Sequence, residues 1–378
     1  MTGADPAGEP ARATGVGAAA NCLAVTAAAL LATGVQIEQF DPLADTQRLR
    51  QCHQMLEAGR PADHPSLSPQ SFEDFTRWWA HGYDGSPRQT WLASNGSGEP
   101  VGCYLLALPA QENTTMARCA LVVAPARRRA GAGRALLAHC AAQARRAGRR
   151  RLASESTTRA KVREGSPGAA FAADMGASTG IAEVIRALDV DAGLLAGLAS
   201  LRADAERHSC GYALLSWLGA SPDEHIDQVA RVNDAMSDAP RDAGVQPQAW
   251  DADRIRSLEQ TAIAHGLCFY SVAARHLATG DFAALTQITA DPGTPGWGIQ
   301  QITAVTPEHR GHRLGLLVKI AMLELLTGCG PDVRRILTGN AGSNEHMIAI
   351  NAQLGYQVSA VYRSWELDLA AAGSAAQS

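Results

Sequence analysis

Charge is scarce in this 378-residue chain: charged residues make up 19% and the formal net charge is −4. Without a basic excess, the surface is not built to neutralise nucleic-acid phosphates or to lie on an anionic membrane. The one basic run, Arg145-Arg146-Ala147-Gly148-Arg149-Arg150-Arg151, has a local explanation. Arginines at a helix end oppose the negative pole of the dipole, Gly148 stops the helix, and the rest opens the next strand. Paired cysteines are missing too. The eight cysteines (Cys22, Cys52, Cys103, Cys119, Cys140, Cys210, Cys268, Cys329) include no Cys-x-x-Cys, which speaks against a zinc site or disulfide framework and for reduced, cytoplasmic usage. His309-x-x-His312 has no cysteine or carboxylate at ligand spacing, so no metal is expected. Long hydrophobic runs are also lacking: the segment from Ala18 to Ala32 is too short and too rich in alanine to span a bilayer. Arg12 sits among Asp5 and Glu9, so the basic start of a secretory signal is absent as well. Residues 1–34 are expected to form a disordered Ala/Gly-rich tail, and 370–378 a second one.

What the chain does have is one pattern written twice. In the first copy Ala120-Leu121-Val122-Val123 leads through Ala124 to Pro125, then to Arg127-Arg128-Arg129-Ala130-Gly131-Ala132-Gly133 and an apolar helix. In the second, Gln301-Ile302-Thr303-Ala304-Val305 leads through Thr306 to Pro307, then to Glu308-His309-Arg310-Gly311-His312-Arg313-Leu314-Gly315-Leu316 and again an apolar helix. Each reads as strand, basic loop, helix. A helix start leaves backbone N–H groups unpaired and carries partial positive charge, so a pyrophosphate can rest there while the arginines add formal charge. A bulky phosphate-bearing cofactor is the expected ligand.

A dinucleotide fold must be weighed, because Gly131-x-Gly133 is followed by a helix, a strand and Glu155. It fails locally: Pro125 and four further loop residues through Arg129 intervene after the strand, and Leu136 stands where a third glycine belongs. Neither loop ends in Gly-Lys-Ser/Thr, which argues against a P-loop.

Both loops resemble the acyl-CoA-binding motif of the GNAT superfamily of N-acetyltransferases, Gln/Arg-x-x-Gly-x-Gly/Ala. Arg128-x-x-Gly131-x-Gly133 fits it fully, and Arg310-x-x-Arg313-x-Gly315 departs at the first glycine. That departure is tolerable if Arg313 keeps ordinary helical dihedrals with its side chain turned to a 3′-phosphate or to solvent, and damaging if a positive φ is required.

Composition fits two domains: 46% of the residues are hydrophobic, and a domain of about 150 residues buries its own core. Each half repeats the GNAT element order. The first runs from the Val35–Phe40 strand through helical segments, a hairpin at Asn95-Gly96-Ser97-Gly98, the loop, its helix, and a last strand near Ile181–Leu188. The second runs from Tyr212–Leu218 through a hairpin at Ala278-Thr279-Gly280-Asp281 to a final strand at Gln357–Leu369. Hence an α/β (α+β) fold is expected: two tandem GNAT domains, 35–190 and 209–369, each a mixed, mostly antiparallel sheet flanked by helices. Leu194, Leu195, Leu198 and Leu201 make 191–208 a connecting helix. The architecture is similar to mycothiol synthase and other two-copy actinobacterial acetyltransferases.

A second cluster follows in the second copy, Asn340-x-x-x-Asn344-x-x-Met347-x-x-x-Asn351-x-x-Leu354-Gly355-Tyr356. Asn344 is a good N-cap and Gly355 a good stop, whereas Asn340 and Asn351 are not needed by a helix. The resemblance places them along the pantetheine arm and acyl group. The first copy has only Ser166-Pro167-Gly168 and Phe171 there.

The resemblance implies acetyl-CoA as acyl donor and direct transfer to a small amine, such as an amino sugar or specialised metabolite, with the second copy catalytic. Its cofactor contacts would be Thr303 to Val305, Arg310 to Leu316, Asn340, Asn344 and Asn351, and in the first copy Leu121 to Val123, Arg128, Arg129, Gly131 and Gly133. Deprotonating an alkylamine of pKa about 10 costs roughly 4 kcal/mol at neutral pH, so a base or a desolvated pocket is required. The backbone N–H near Val305 would meet the developing oxyanion. The family's usual tyrosine acid is Asn351 in one copy and Ala172 in the other, and neither strand before the loops carries a carboxylate. Gln301 and Thr303 through water, and Tyr356, remain as catalytic candidates, with Tyr362 and Glu366 nearby. These gaps also leave open a non-catalytic acyl-CoA-binding or regulatory module. No nucleic-acid or membrane partner is expected, and an oligomer is compatible with the sequence.

Overall fold

The computed structural model describes residues 34–64, 69–82, 85–159, 165–238, 241–242, 244–264, 266–329 and 332–370. Apart from Gly34 and Ala370, the two expected tails lie outside the described residues.

The first half comprises β1 (Gln36–Phe40), α1 (Thr46–Asp63), α2 (Phe72–Ala80), β2 (Arg88–Ser94), β3 (Pro100–Ala107), β4 (Met116–Val123), α3 (Ala132–Arg146), β5 (Arg151–Arg159), α4 (Pro167–Asp174) and β6 (Ser178–Asp189). Helix α5 (Ala192–His208) follows, started by Asp191, whose carboxylate accepts from the Leu194 N–H at 2.8 Å. The second half repeats the order with β7 (Tyr212–Leu218), α6 (Ile226–Asp234), α7 (Ala252–Ala264), β8 (Cys268–His276), β9 (Phe282–Ala290), β10 (Gly296–Val305), α8 (Leu314–Cys329), β11 (Val333–Ala341), α9 (Glu345–Gln353) and β12 (Gln357–Asp368).

The expected hairpins form for local reasons. Asn95 accepts from the backbone N–H of Ser97 and Glu99, and Gly98 takes the left-handed conformation that closes the turn. Gly280 does the same between β8 and β9.

The strands form one 12-stranded sheet in the order β1-β2-β3-β4-β5-β12-β6-β11-β10-β9-β8-β7. Only β4–β5 and β10–β11 are parallel pairs; the rest are antiparallel. The halves therefore exchange their last strands: β12, from the chain's end, pairs with β5, while β6 pairs with β11. Sequence order alone would place β6 beside β5. The cores follow the exchange. Leu367 and Leu369 pack with Leu136, Cys140 and Leu152 of the first half, and Leu188 packs with Leu314, Ile336 and Leu354 of the second. Each such buried leucine is worth about 1.5–3 kcal/mol, so neither half completes its core alone.

Helices α3 and α8 lie against β3–β4 and β8–β9. The other face is covered by α1 and α2 through Leu49, Phe75 and Trp79, and by α6 and α7 through Val229 and Ile255. The two basic loops thus open at equivalent ends of the two halves.

Candidate active site

The loops match residue for residue. After β4, Pro125–Arg127 makes a 3₁₀ turn, Arg128 is extended (φ −68°, ψ 158°), Arg129 has φ 64° and Gly131 φ 88° before α3 begins. After β10, Pro307–His309 makes the same turn, Arg310 is extended (φ −68°, ψ 154°), Gly311 has φ 90° and Arg313 φ 52° before α8 begins. Both loops need two left-handed residues, and the copies fill them in opposite order, arginine then glycine and glycine then arginine. Of the two conditions set for Arg313, the structure shows the one expected to be damaging, a positive φ. The chain must reverse at this position to enter the helix, at a cost of roughly 1–2 kcal/mol for a residue with a Cβ, and Arg129 shows that the loop tolerates arginine in that conformation. The side chain of Arg313 is not turned toward the loop mouth either, but pairs with Asp204 of α5.

The following glycines are required by packing. A Cβ on Gly133 would lie 3.3 Å from the Phe171 ring, and one on Gly315 would lie 3.0 Å from Ile350 Cδ1. Each helix start is thereby pressed against the later helix of its half, with backbone N–H groups facing the loop.

Beside each loop the sheet splits. The β4–β5 pairing ends at Arg118↔Ala153 and the β10–β11 pairing at Ile299↔Leu337. Beyond those points Leu121–Val123 pair only with β3, and Thr303–Val305 only with β9. Each opening exposes a strand edge to which an extended amide-bearing arm can add hydrogen bonds.

The side chains predicted for catalysis are mostly engaged elsewhere. The Gln301 amide donates to the Thr289 hydroxyl at 2.7 Å, and the Thr303 hydroxyl shares a hydrogen bond with Thr286 at 2.8 Å, both across to β9 and away from the opening. Tyr356 is core, and burial raises its hydroxyl pKa above the usual phenol value. Tyr362, on β12, is raised as well, first by burial and then by Glu155 and Glu183. Glu366 is tied to Arg151.

The asparagines divide by role. Asn344 caps α9, its side chain accepting from Met347 N–H at 3.2 Å. Asn351 is fully buried and donates from Nδ2 to Asn340 Oδ1 at 2.8 Å. Its own Oδ1 accepts from Lys319 Nζ at 3.0 Å. Lys319 was missed in the sequence. Its signal is a single lysine inside the apolar run of α8, at a position facing inward: it is 3% exposed, and burial lowers its pKa to about 7.

The first half differs at two points. Asp63, at the end of α1, binds the key loop arginine through both oxygens, Nη1–Oδ1 at 3.1 Å and Nη2–Oδ2 at 2.5 Å, while Arg128 Nε donates to the Val123 carbonyl. Helix α4 carries no asparagine, only Phe171 and alanines facing the loop.

The exchanged strands bring carboxylates to the middle of the sheet. Glu183 on β6 lies opposite Ala341 of β11 and Tyr362 of β12. Glu183 is exposed as a residue, yet its carboxyl is held above the usual range, first by desolvation and then by Glu155 and Asp242. Near the second loop, the Tyr212 hydroxyl meets His309 Nδ1 at 2.9 Å, with His276 and His312 packed around the ring.

A sheet split beside a basic helix start, present twice, suits an extended amide-bearing arm that ends in a pyrophosphate. Residues 49–163 match the Acetyltransferase (GNAT) family, so the complete loop motif of the first half lies in a GNAT acetyltransferase domain. Across the chain, the structure is similar to a tandem GNAT protein from the clavulanic acid biosynthesis pathway, with TM-score 0.73 and 28% identity over 89% of this chain and 98% of that one. It is also similar in fold to a GCN5-related N-acetyltransferase from Sphaerobacter thermophilus (TM-score 0.61, 13% identity, 89% and 96% covered). A third likeness is to Saccharomyces cerevisiae N-myristoyltransferase with bound myristoyl-CoA (TM-score 0.56, 10% identity, 89% and 79% covered). No curated protein gives a significant match. The fold is a tandem GNAT fold and the chain is an acyltransferase. Among the described residues no helix is long and apolar enough to cross a membrane.

Proposed function

We propose that the chain transfers an acetyl group from acetyl-CoA directly to a small amine, with the second half carrying turnover. The observation that carries this reading is the buried polar series Lys319–Asn351–Asn340 behind the second opening, where α4 of the first half carries no asparagine. The residues present fit the donor. Backbone N–H groups of 311–315 suit a pyrophosphate, and the free edge of Thr303–Val305 suits the amides of a pantetheine arm. When bound, acetyl-CoA supplies an activated thioester. The protein's part is to orient it, to offer the Val305 region N–H groups to developing negative charge, and to accept the amine's proton. Glu183 suits that last task, because its raised proton affinity brings it nearer the working pH. The carboxylates gathered around Glu183, Glu155 of β5 and Asp242 of the segment before α7, also suit a cationic acceptor.

The competing reading, a binding or regulatory module, draws on the engagement of Gln301 and Thr303 with β9. Thermal shift and thiol release separate the two. Acetyl-CoA is expected to raise the melting temperature by mass action while NADH and ATP at equal concentration do not, and a panel of small amines is expected to release free thiol. Stabilisation without thiol release from any amine supports the module, and equal stabilisation by NADH overturns the acyl-CoA reading.

A further inference from the structure

Lys319 is one of only two lysines in the chain, the other being Lys161. It stands in the middle of α8 between Val318 and Ile320, both fully buried. Among the described residues no carboxylate pairs with it: its Nζ meets Asn351 Oδ1 at 3.0 Å and lies 4.7 Å from the centre of the Tyr356 ring. A core of this kind would pack as well with leucine or methionine, and an ammonium without a counter-charge is costly there.

The geometry shows what the ammonium fixes. While charged it has three donors and no acceptor, and Asn351 turns its oxygen toward it at 3.0 Å; the reverse amide orientation would set NH₂ against NH₃⁺. With Oδ1 committed, Asn351 Nδ2 is directed at Asn340, which accepts at 2.8 Å through Oδ1. Asn340 has then spent its acceptor end inward, and its own NH₂ is left for the opening. It sits half-exposed on β11, beyond Ile299↔Leu337, where β10 and β11 have parted.

We propose that Lys319 is a positioning residue which, through Asn351, sets Asn340 as an N–H donor in the β10–β11 opening, where it grips a carbonyl oxygen of the acyl-thioester arm. The proposal rests on the second half binding acetyl-CoA. It explains why this half has asparagine where a tyrosine is usual: the polar series is built from the helix core outward.

The test is calorimetric binding of acetyl-CoA and steady-state kinetics on the full chain, using Asn340→Asp, Asn351→Asp and Lys319→Met. Asn340→Asp keeps the size and removes the donor. Asn351→Asp keeps a partner for Lys319 but offers only acceptors, so Asn340 must reverse and turn its oxygen to the opening. Both are expected to weaken acetyl-CoA affinity and raise its KM about tenfold, with the melting temperature unchanged in Asn340→Asp and read alongside in Asn351→Asp, where the new carboxylate faces Lys319. Lys319→Met is expected to weaken affinity similarly, with little further loss in the Lys319→Met/Asn340→Asp double variant, since both act through one group. Folded Asn340→Asp and Asn351→Asp proteins that bind acetyl-CoA within twofold of wild type overturn the inference, as does full additivity in the double variant. Gly315→Glu is the control for the underlying reading. If it abolishes binding while the asparagine variants do not weaken it, only the inference fails. If it leaves binding intact, the assignment of the second half fails and the inference with it.

Discussion

Asp63 and Arg128 form a two-pronged ion pair across the first basic loop. The loop arginine's guanidinium, which in the second copy belongs to Arg310, is here neutralised by a carboxylate from α1. Under the proposed reading, a pyrophosphate arriving at this loop has to displace that carboxylate, which would hold the first site in competition with its own protein.

Removing the carboxylate is expected to open this site. Asp63→Asn keeps the shape and leaves Arg128 charged, so calorimetric titration with acetyl-CoA should show a second binding event, or a tightening of a weak one by about tenfold. The side chains are each about one-quarter exposed, so the pair contributes modestly to folding and the variant should lose no more than about 1 kcal/mol of stability. An unchanged titration would show that the carboxylate does not govern this loop.

Lys319 supports a pH prediction. Its folded pKa, about 7, lies below the ordinary 10.5, so between those values the unfolded chain holds more protons and stability rises with pH. Below about pH 7 the buried group is charged and its full cost is present. Lys319→Met is therefore expected to stabilise the fold by about 1–3 kcal/mol at pH 6–7, after allowing for the orphaned Asn351 oxygen. The advantage should shrink as pH approaches 10. Urea unfolding of both proteins across that range measures it, and a constant difference would mean that Lys319 does not titrate with folding.

Strand exchange makes the halves one cooperative unit. Trp365 on β12 is buried, and its indole N–H donates to Ser156 Oγ of β5 at 2.8 Å. Calorimetry should show a single transition for the wild type. Trp365→Ala should lower that whole transition by about 3–5 kcal/mol, not one half of it. Two separate transitions, with only the later one shifted, would contradict a shared core.

Local signals carried much of the architecture. Proline before arginine, Gly98 and Gly280 at hairpins, Asp191 and Asn344 as caps, and the apolar stripe of α8 all depend on near neighbours in the chain, and each appears where its residues imply. The exchange of β6 and β12 depends on which edges meet across long sequence separations, and no periodicity encodes that choice. The left-handed Arg313 was also hidden, because arginine normally argues against such a conformation. At the site, the asparagines stood out as residues a helix did not require. Lys319 was obscured because one lysine in an apolar helix reads as a solvent-facing position, and only its burial and its hydrogen bond to Asn351 show it inside.

Division of labour between the halves is tested most directly by comparing Gly315→Glu with Gly133→Glu. Each places a carboxylate at a helix start where the added atoms meet Ile350 or Phe171 at 3.0 or 3.3 Å, so the two changes are comparable insults to packing and to anion binding. Turnover should be measured on variants whose melting temperatures agree within a few degrees, since a glutamate in a packed position can also act by unfolding. The account predicts that Gly315→Glu abolishes amine-dependent thiol release while Gly133→Glu retains most of it. Loss of turnover in Gly133→Glu with retention in Gly315→Glu would contradict it and place the chemistry in the first half.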